Sequence, residues 1–380
     1  MYILVVGRTY PDKNDPDGAI FERDQARALR ELGHKVVFAA LDLRSIRRWR
    51  RWGVRRFEDG GMTVYRADAP VGPLPLRLFA AAGERVFSRL MKRVIREDGR
   101  PDVVHVHFGD LGGCVVRVCE KYAVPCVVTE HSSAVNVPAL KPLVRAMYRD
   151  IYTHAAAVVA VSAALAERIE AHTGVRAAVI PDIIDLSMFP CCARRTDGGA
   201  FRFVSAGNLN RGKGFDLLLR ALAALRDGGV DARLLVMGGG EEETALHALA
   251  ASLGVAEAVR FSGAYRRPDF SRALAESDAF VLASRGETFG VVYAEALACG
   301  RPVIATRCGG PEDFVNERNG LLVPVDDAAA LTEAMRCMTE HIDRYDPAAI
   351  AGEAGTRFSP ASVAGQLTAL FERVVKENVK

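Results

Sequence analysis

The chain has 380 residues, 49% of them hydrophobic and 26% charged, with a formal net charge of +3. That length exceeds one ordinary core and suits two domains of roughly 180 residues, with the composition of a globular protein. The longest apolar-rich stretch, residues 155–166, falls well short of the ~20 residues a membrane span needs. Eight cysteines, with no Cys-x-x-Cys and no Cys/His cluster at zinc spacing, read as reduced thiols in a cytosolic protein.

In chain order, residues 2–7 predict a buried strand, and MYILVVG is too short for a secretory leader. The loop over residues 8–18 is rich in turn formers and ends at Gly18. A helix with apolar positions Ile20, Ala26, Leu29 and Leu32 follows, then a Gly33-His34 turn and a second strand. Residues 44–56 hold seven arginines and both tryptophans. A solvated charged helix and a nucleic-acid contact compete there with a helix lying in a membrane interface. Trp49 and Trp52, three residues apart among Arg44, Arg47, Arg48 and Arg51, favour the membrane surface and not nucleic acid. A second basic helix carries Arg85, Arg89, Lys92, Arg93 and Arg96. Two further strands end in the polar tips HFGD and EHSS, setting His107 and His131 at the edge where parallel sheets bind ligands. Residues 155–169 predict strand, turn and helix, with Ser162 as N-cap.

Residues 179–190 read as a linker and residues 191–199 as an exposed loop, with a second domain beginning near Phe201. Strand, glycine-rich turn and amphipathic helix come first; Gly207 lets backbone approach a ligand closely, and Arg211 and Lys213 place two cations at the turn. The design repeats with Gly238, Gly239 and Gly240, then with a strand whose tip holds residues 263–266. The strand over residues 279–283, a short loop, a helix from Val291 to a Gly300 stop and a strand over residues 302–305 make a βαβ unit. Its loop opens at the carboxyl edge of a parallel sheet. The free N–H groups of Phe289, Gly290, Val291 and Val292 point out of the helix start, where partial positive charge favours phosphate. Glu287 precedes that start and Glu295 leans back toward it. A carboxylate repels phosphate and accepts from sugar hydroxyls, so the expected ligand is a nucleotide sugar.

Glu287, Phe289, Gly290 and Glu295, followed by ALACGRPVIAT and GGPEDFV, resemble the donor-site signature of the retaining glycosyltransferases of family 4. The resemblance covers nearly the whole chain and is strongest over residues 201–327. It implies an α/β GT-B fold: two facing Rossmann-like domains with parallel sheets, residues 1–185 on the acceptor side and 200–360 on the donor side. A final helix, residues 361–380, crosses back to the first domain. By the same resemblance Glu287 faces the transferred sugar, Glu295 holds the ribose, His131 contacts the donor sugar and Gly18 lies in the loop that closes on the diphosphate. Lys213 matches the family's Lys-Gly, while Asn208 stands where the family has Arg, leaving Arg211 or the helix dipole to supply the second charge. Gly239 stands where Asp is frequent, and the base is set against the tip near Tyr265. Thr288 completes the donor set.

The implied enzyme is a hexosyltransferase moving sugar with retention from a UDP- or GDP-sugar to a hydroxyl acceptor, a lipid-linked saccharide or cell-surface polysaccharide precursor. It needs no cofactor, and neutralisation of phosphate by Lys213 and amides makes a metal unnecessary. The expected location is cytoplasmic, peripheral at the inner face of the membrane. The rivals are a sugar-nucleotide epimerase of the same fold and a non-catalytic lipid- or RNA-binding protein resting on residues 44–56. A dinucleotide oxidoreductase lacks its Gly-x-Gly-x-x-Gly after the first strand.

Overall fold

Short apolar runs covered on both faces become strands, and β1 (Tyr2–Gly7) is buried along its whole length. The computed structural model describes residues 1–12, 18–44, 51–72, 74–196 and 198–378. Contacts divide the chain into two units, Met1–Ile183 with Pro360–Lys380, and Ile184–Ser359.

In the first unit, β1 is followed by α1 (Ile20–Glu31), β2 (Lys35–Asp42), β3 (Gly53–Asp59), β4 (Met62–Asp68), α2 (Leu76–Asp98) and β5 (Val103–His107). Then come α3 (Gly109–Lys121), β6 (Cys126–Glu130), α4 (Pro142–His154), β7 (Ala157–Ala160), α5 (Ala163–Thr173) and β8 (Ala178–Val179). The sheet runs β3-β4-β2-β1-β5-β6-β7-β8. Its pairs are parallel except β3 with β4. Ser162 caps α5, its Oγ accepting from the Leu165 N–H at 3.1 Å.

The helix expected over residues 44–56 does not form at its carboxyl end. Residues 53–59 are β3, turned back onto β4 by Gly60 and Gly61, whose φ values are 56° and 77°. A two-residue turn with both φ positive is the hairpin connection that Gly-Gly permits, and it overrides the charge pattern. Arg55 donates to Asp68 at 2.7 Å and Arg56 to the Tyr65 hydroxyl at 3.2 Å. Arg44 is turned onto Asp42 at 2.9 Å and Thr9 at 3.0 Å, so it belongs to a protein network and not to a lipid-facing row. Arg47, Arg48 and Trp49 lie outside the described residues.

The second unit contains β9 (Phe201–Ala206), α6 (Phe215–Asp227), β10 (Ala232–Met237), α7 (Glu243–Ser252), β11 (Val259–Phe261) and α8 (Arg267–Ala275). It continues with β12 (Ala279–Leu282), α9 (Val291–Ala298), β13 (Val303–Thr306), β14 (Gly320–Val323), α10 (Ala328–Glu340) and α11 (Pro347–Phe358). Its order, β11-β10-β9-β12-β13-β14, is parallel throughout. The last helix, α12 (Pro360–Asn378), returns to the first unit. There Val363, Leu367, Phe371 and Val374 share one core with Ile3, Val5, Leu29 and Phe38.

Candidate active site

In a parallel sheet every strand ends on the same edge, so the loops after successive strands gather there. In the second unit backbone bonds stitch those loops together. The Gly207 N–H donates to Met237 at 3.0 Å, Leu209 to Gly239 at 3.0 Å, and Gly238 to Gly263 at 2.9 Å. Arg285 donates to Gly212 at 2.7 Å and Glu287 to Cys308 at 3.0 Å. This shelf carries Gly207, Asn208, Arg211, Lys213, Gly238, Gly239 and Glu287 on one sheet edge.

Lys213 closes a single 3-10 turn, residues Arg211–Lys213, and its Nζ donates to Glu287 Oε1 at 2.6 Å. Ser284 Oγ donates to the same oxygen at 2.7 Å. Glu287 is 8% exposed, so its charge is met by the ammonium and the hydroxyl more than by water. Burial pushes the neighbouring Cys308 thiol up to about 12, so it stays protonated and inert. Arg211 and Asn208 are exposed. Arg285 clamps the turn from below, pairing with Asp216 at 3.1 Å and Asp326 at 2.7 Å.

Three residues past Glu287, Gly290 opens α9 with φ 90°. A side chain there would be strained, and its Cβ would sit 2.8 Å from the Tyr293 ring. Among the described residues no side chain caps this helix. Its first N–H groups, from Gly290, Val291 and Val292, therefore have neither an i−4 carbonyl nor a cap. Phe289 is turned inward against Phe314 and Phe358, with centroids 5.3 and 5.5 Å away. Only its backbone is left for a ligand. Thr288, Val291 and Val292 are half-buried at the same entrance.

Glu295, one turn and a half inside α9, is 4% exposed. Its Oε1 meets Arg267 Nε at 3.0 Å and Nη2 at 2.9 Å. The sequence reading, which gave that carboxylate only sugar hydroxyls, had no place for this arginine. Tyr265 lies in the same neighbourhood: burial and the charge of Glu295 push its phenol up.

The first unit sets His131 at the carboxyl tip of β6. Its Nδ1 is 3.1 Å from Asp182 Oδ1 and its Nε2 is 3.0 Å from His107 Nδ1. Burial pulls His131 down, but the charge and hydrogen bond of Asp182, helped by Glu22 and Glu130, carry it above its ordinary value. His107 and His105 have no such carboxylate and are driven down by burial, His105 to about 3. His131 thus lies between the Asp182 carboxylate, which favours its charged form, and the His107 ring. Glu130 serves the fold, accepting from the Gly109, His131 and Ser132 N–H groups and from the Tyr152 hydroxyl. Gly18 lies two residues ahead of α1, partly exposed.

Ser284, Arg267, Arg285, Glu22 and Asp182 went unassigned to the sites on sequence grounds. Ser284 was visible as the first polar residue after β12, and Asp182 as the acid in the Pro-Asp pair; the arginines carried no signal beyond composition. Among the described residues no helix is long and apolar enough to cross a membrane.

Known proteins resemble this chain in sequence and fold. Residues 200–341 match the family described as Glycosyl transferases group 1, and residues 21–182 match the Glycosyl transferase 4-like domain. The chain is 28% identical over 355 residues to the putative teichuronic acid biosynthesis glycosyltransferase TuaC of Bacillus subtilis, covering 88% of each. It is 31% identical over 299 residues to D-inositol 3-phosphate glycosyltransferase 1 of Catenulispora acidiphila, covering 71% of each. The structure of Anabaena Alr3699/HepE in complex with UDP and glucose superposes with a TM-score of 0.73 at 18% identity, covering 98% of this chain and all of that one. With two mainly parallel α/β sheets, a shelf of strand-end loops and a glycosyltransferase family model matched to each half, the chain belongs to the group 1 glycosyltransferases of GT-B fold.

Proposed function

We propose that the protein transfers a hexose from a nucleoside diphosphate sugar to a hydroxyl acceptor, with retention at the anomeric carbon. One observation carries the reading: Lys213, Glu287 and Ser284 are locked together beside the uncapped start of α9. A cation and unpaired amides suit a pyrophosphate, and a buried carboxylate beside them suits the sugar that the pyrophosphate bears. Glu295 accepts from the ribose, and the loop around Tyr265 meets the base. The complex of Alr3699/HepE with UDP and glucose supports a donor of this class.

Donor entry exchanges partners. Lys213 leaves Glu287 for a phosphate oxygen, and Glu287 turns to the hydroxyls of the sugar. As the glycosidic C–O bond breaks, Lys213 and the α9 amides absorb the charge on the leaving diphosphate, so no metal is required of the site. The acceptor hydroxyl attacks the same face and its proton passes to the departing phosphate oxygen beside it. His131 serves the transferred sugar through Nε2, which must first exchange its contact with His107. The acceptor is a cell-surface polysaccharide precursor or lipid-linked saccharide; the name of the Bacillus subtilis relative, from teichuronic acid biosynthesis, supports the first of these.

The test is a panel of UDP-, GDP- and ADP-sugars scored by thermal shift, followed by turnover with saccharide acceptors. A donor at 100 times its Kd raises stability by about 2.7 kcal/mol. A panel without any shift, or donor conversion that proceeds without acceptor and yields an epimer, refutes the proposal.

A further inference from the structure

Glu295 is a carboxylate with almost no water to hold its charge or orient it. A carboxylate so placed takes up a proton or finds a cation. The cation is Arg267, the first residue of α8, reaching across from the loop that follows β11. Its Nε and Nη2 converge on one oxygen, Oε1, at 3.0 and 2.9 Å, with the two side chains only 14% and 5% exposed. The guanidinium is held in turn: its Cζ lies 5.3 Å from the centre of the Phe189 ring. Phe189 is fully buried and packs edge-on against Phe270 of the same helix at 6.1 Å. Nε donates the hydrogen bond and Nη2 adds its charge beside the same oxygen, and a planar guanidinium so held fixes a carboxylate's rotamer in a way a lysine cannot. Helix α8 thereby decides where the acceptor atoms of α9 stand.

We propose that Arg267 is the positioning residue for ribose recognition, holding Glu295 in one rotamer so that it discriminates nucleotides bearing ribose hydroxyls from those without them. The inference rests on the assignment of Glu295 to the ribose. It adds that the discrimination resides in an Arg267–Glu295 pair and not in the glutamate alone. Arg267 itself touches the substrate nowhere in this scheme.

The experiment compares ribose with dideoxyribose. Binding of UDP, GDP and ADP and of their 2′,3′-dideoxy counterparts is measured by calorimetry for the wild type, Arg267→Ala, Arg267→Lys and Glu295→Gln. For the base that binds best, the wild type is expected to favour the ribonucleotide by about tenfold or more, the scale of a hydrogen bond to a charged group. The preference shrinks to within about twofold in Arg267→Ala and Glu295→Gln, and is intermediate in Arg267→Lys. Affinity for inorganic pyrophosphate stays within about twofold throughout. Arg267→Ala keeping the full ribose preference while Glu295→Gln loses it overturns the inference and leaves the proposed function standing. Arg267→Ala losing pyrophosphate as well assigns the residue to the local fold and also overturns it. A wild type that binds no nucleoside diphosphate removes the proposed function and this inference together.

Discussion

Replacing Glu287 by glutamine separates catalysis from stability at one atom. The change preserves shape, and Gln Oε1 still accepts from Ser284 Oγ, which lies 2.7 Å away. What is lost is the ion pair with Lys213, whose side chain is 26% exposed. Water reaches that ammonium, so the loss is near the upper end for exposed pairs, about 1 kcal/mol. For a unit of this size that corresponds to about 2–4 °C in Tm. Turnover faces a different account. A preorganised charge aimed at the reacting centre contributes about 2.7–4 kcal/mol when removed singly, or 100- to 1,000-fold in kcat. Donor binding should hold or tighten slightly, because Lys213 no longer has to leave a carboxylate to reach phosphate. The assays are differential scanning calorimetry, donor titration, and turnover at saturating donor. A Glu287→Gln protein with kcat within about threefold of wild type would refute the role given to this carboxylate. So would a fall in donor affinity equal to the fall in kcat/KM.

Other perturbations test other links. Gly290→Ala forces an L side chain into φ 90° and toward a ring 2.8 Å away; a loss of about 1–3 kcal/mol in urea melts is expected, and a neutral result would mean the entrance is not held in this conformation. Asp182→Asn removes the chief cause that raises His131. A raised histidine contributes stability that is complete below its unfolded value near 6.5 and fades as pH climbs through the folded value. The urea midpoint of Asp182→Asn should therefore trail wild type most near pH 6 and converge with it as pH rises past the folded value; a gap that widens with pH contradicts the pairing. Arg66→Met strips a guanidinium 8% exposed from Asp42 and Asp68, both fully buried at their side chains. Arg44 and Arg55 remain on those carboxylates at 2.9 and 2.7 Å. The loss should therefore lie at the low end of the 3–5 kcal/mol range for a broken buried pair, about 3 kcal/mol. A cost below about 1 kcal/mol would show the two aspartates need no central cation.

Much of the fold was legible because it is local. Apolar runs of four to six residues followed by glycine-rich turns and amphipathic helices admit little besides alternating β and α, and such strands pair in parallel. The Gly60-Gly61 hairpin was equally local, yet its signal was masked by seven nearby arginines that read as a surface helix. In β3 Val54 and Phe57 merely flank the adjacent Arg55 and Arg56, with no period of two to mark a strand. The placing of Glu287 and Glu295 on either side of the helix start at Gly290 was legible from their spacing. Their partners were not. Lys213 meets Glu287 across 74 positions and Arg267 meets Glu295 across 28, and no periodicity in a chain encodes which of many arginines will arrive.

The sequence by itself determined the βαβ rhythm, the uncapped helix start at Gly290, and the presence of glutamates on either side of it. All of these depend on residues within a turn or two of one another. The tertiary structure decided which charges neutralise which. It gave Lys213 to Glu287, Arg267 to Glu295, Asp182 to His131, and it brought α12 back to the core of the first unit. Those pairings follow from burial, which forbids an uncompensated charge. Burial is set only when segments distant in the chain have packed.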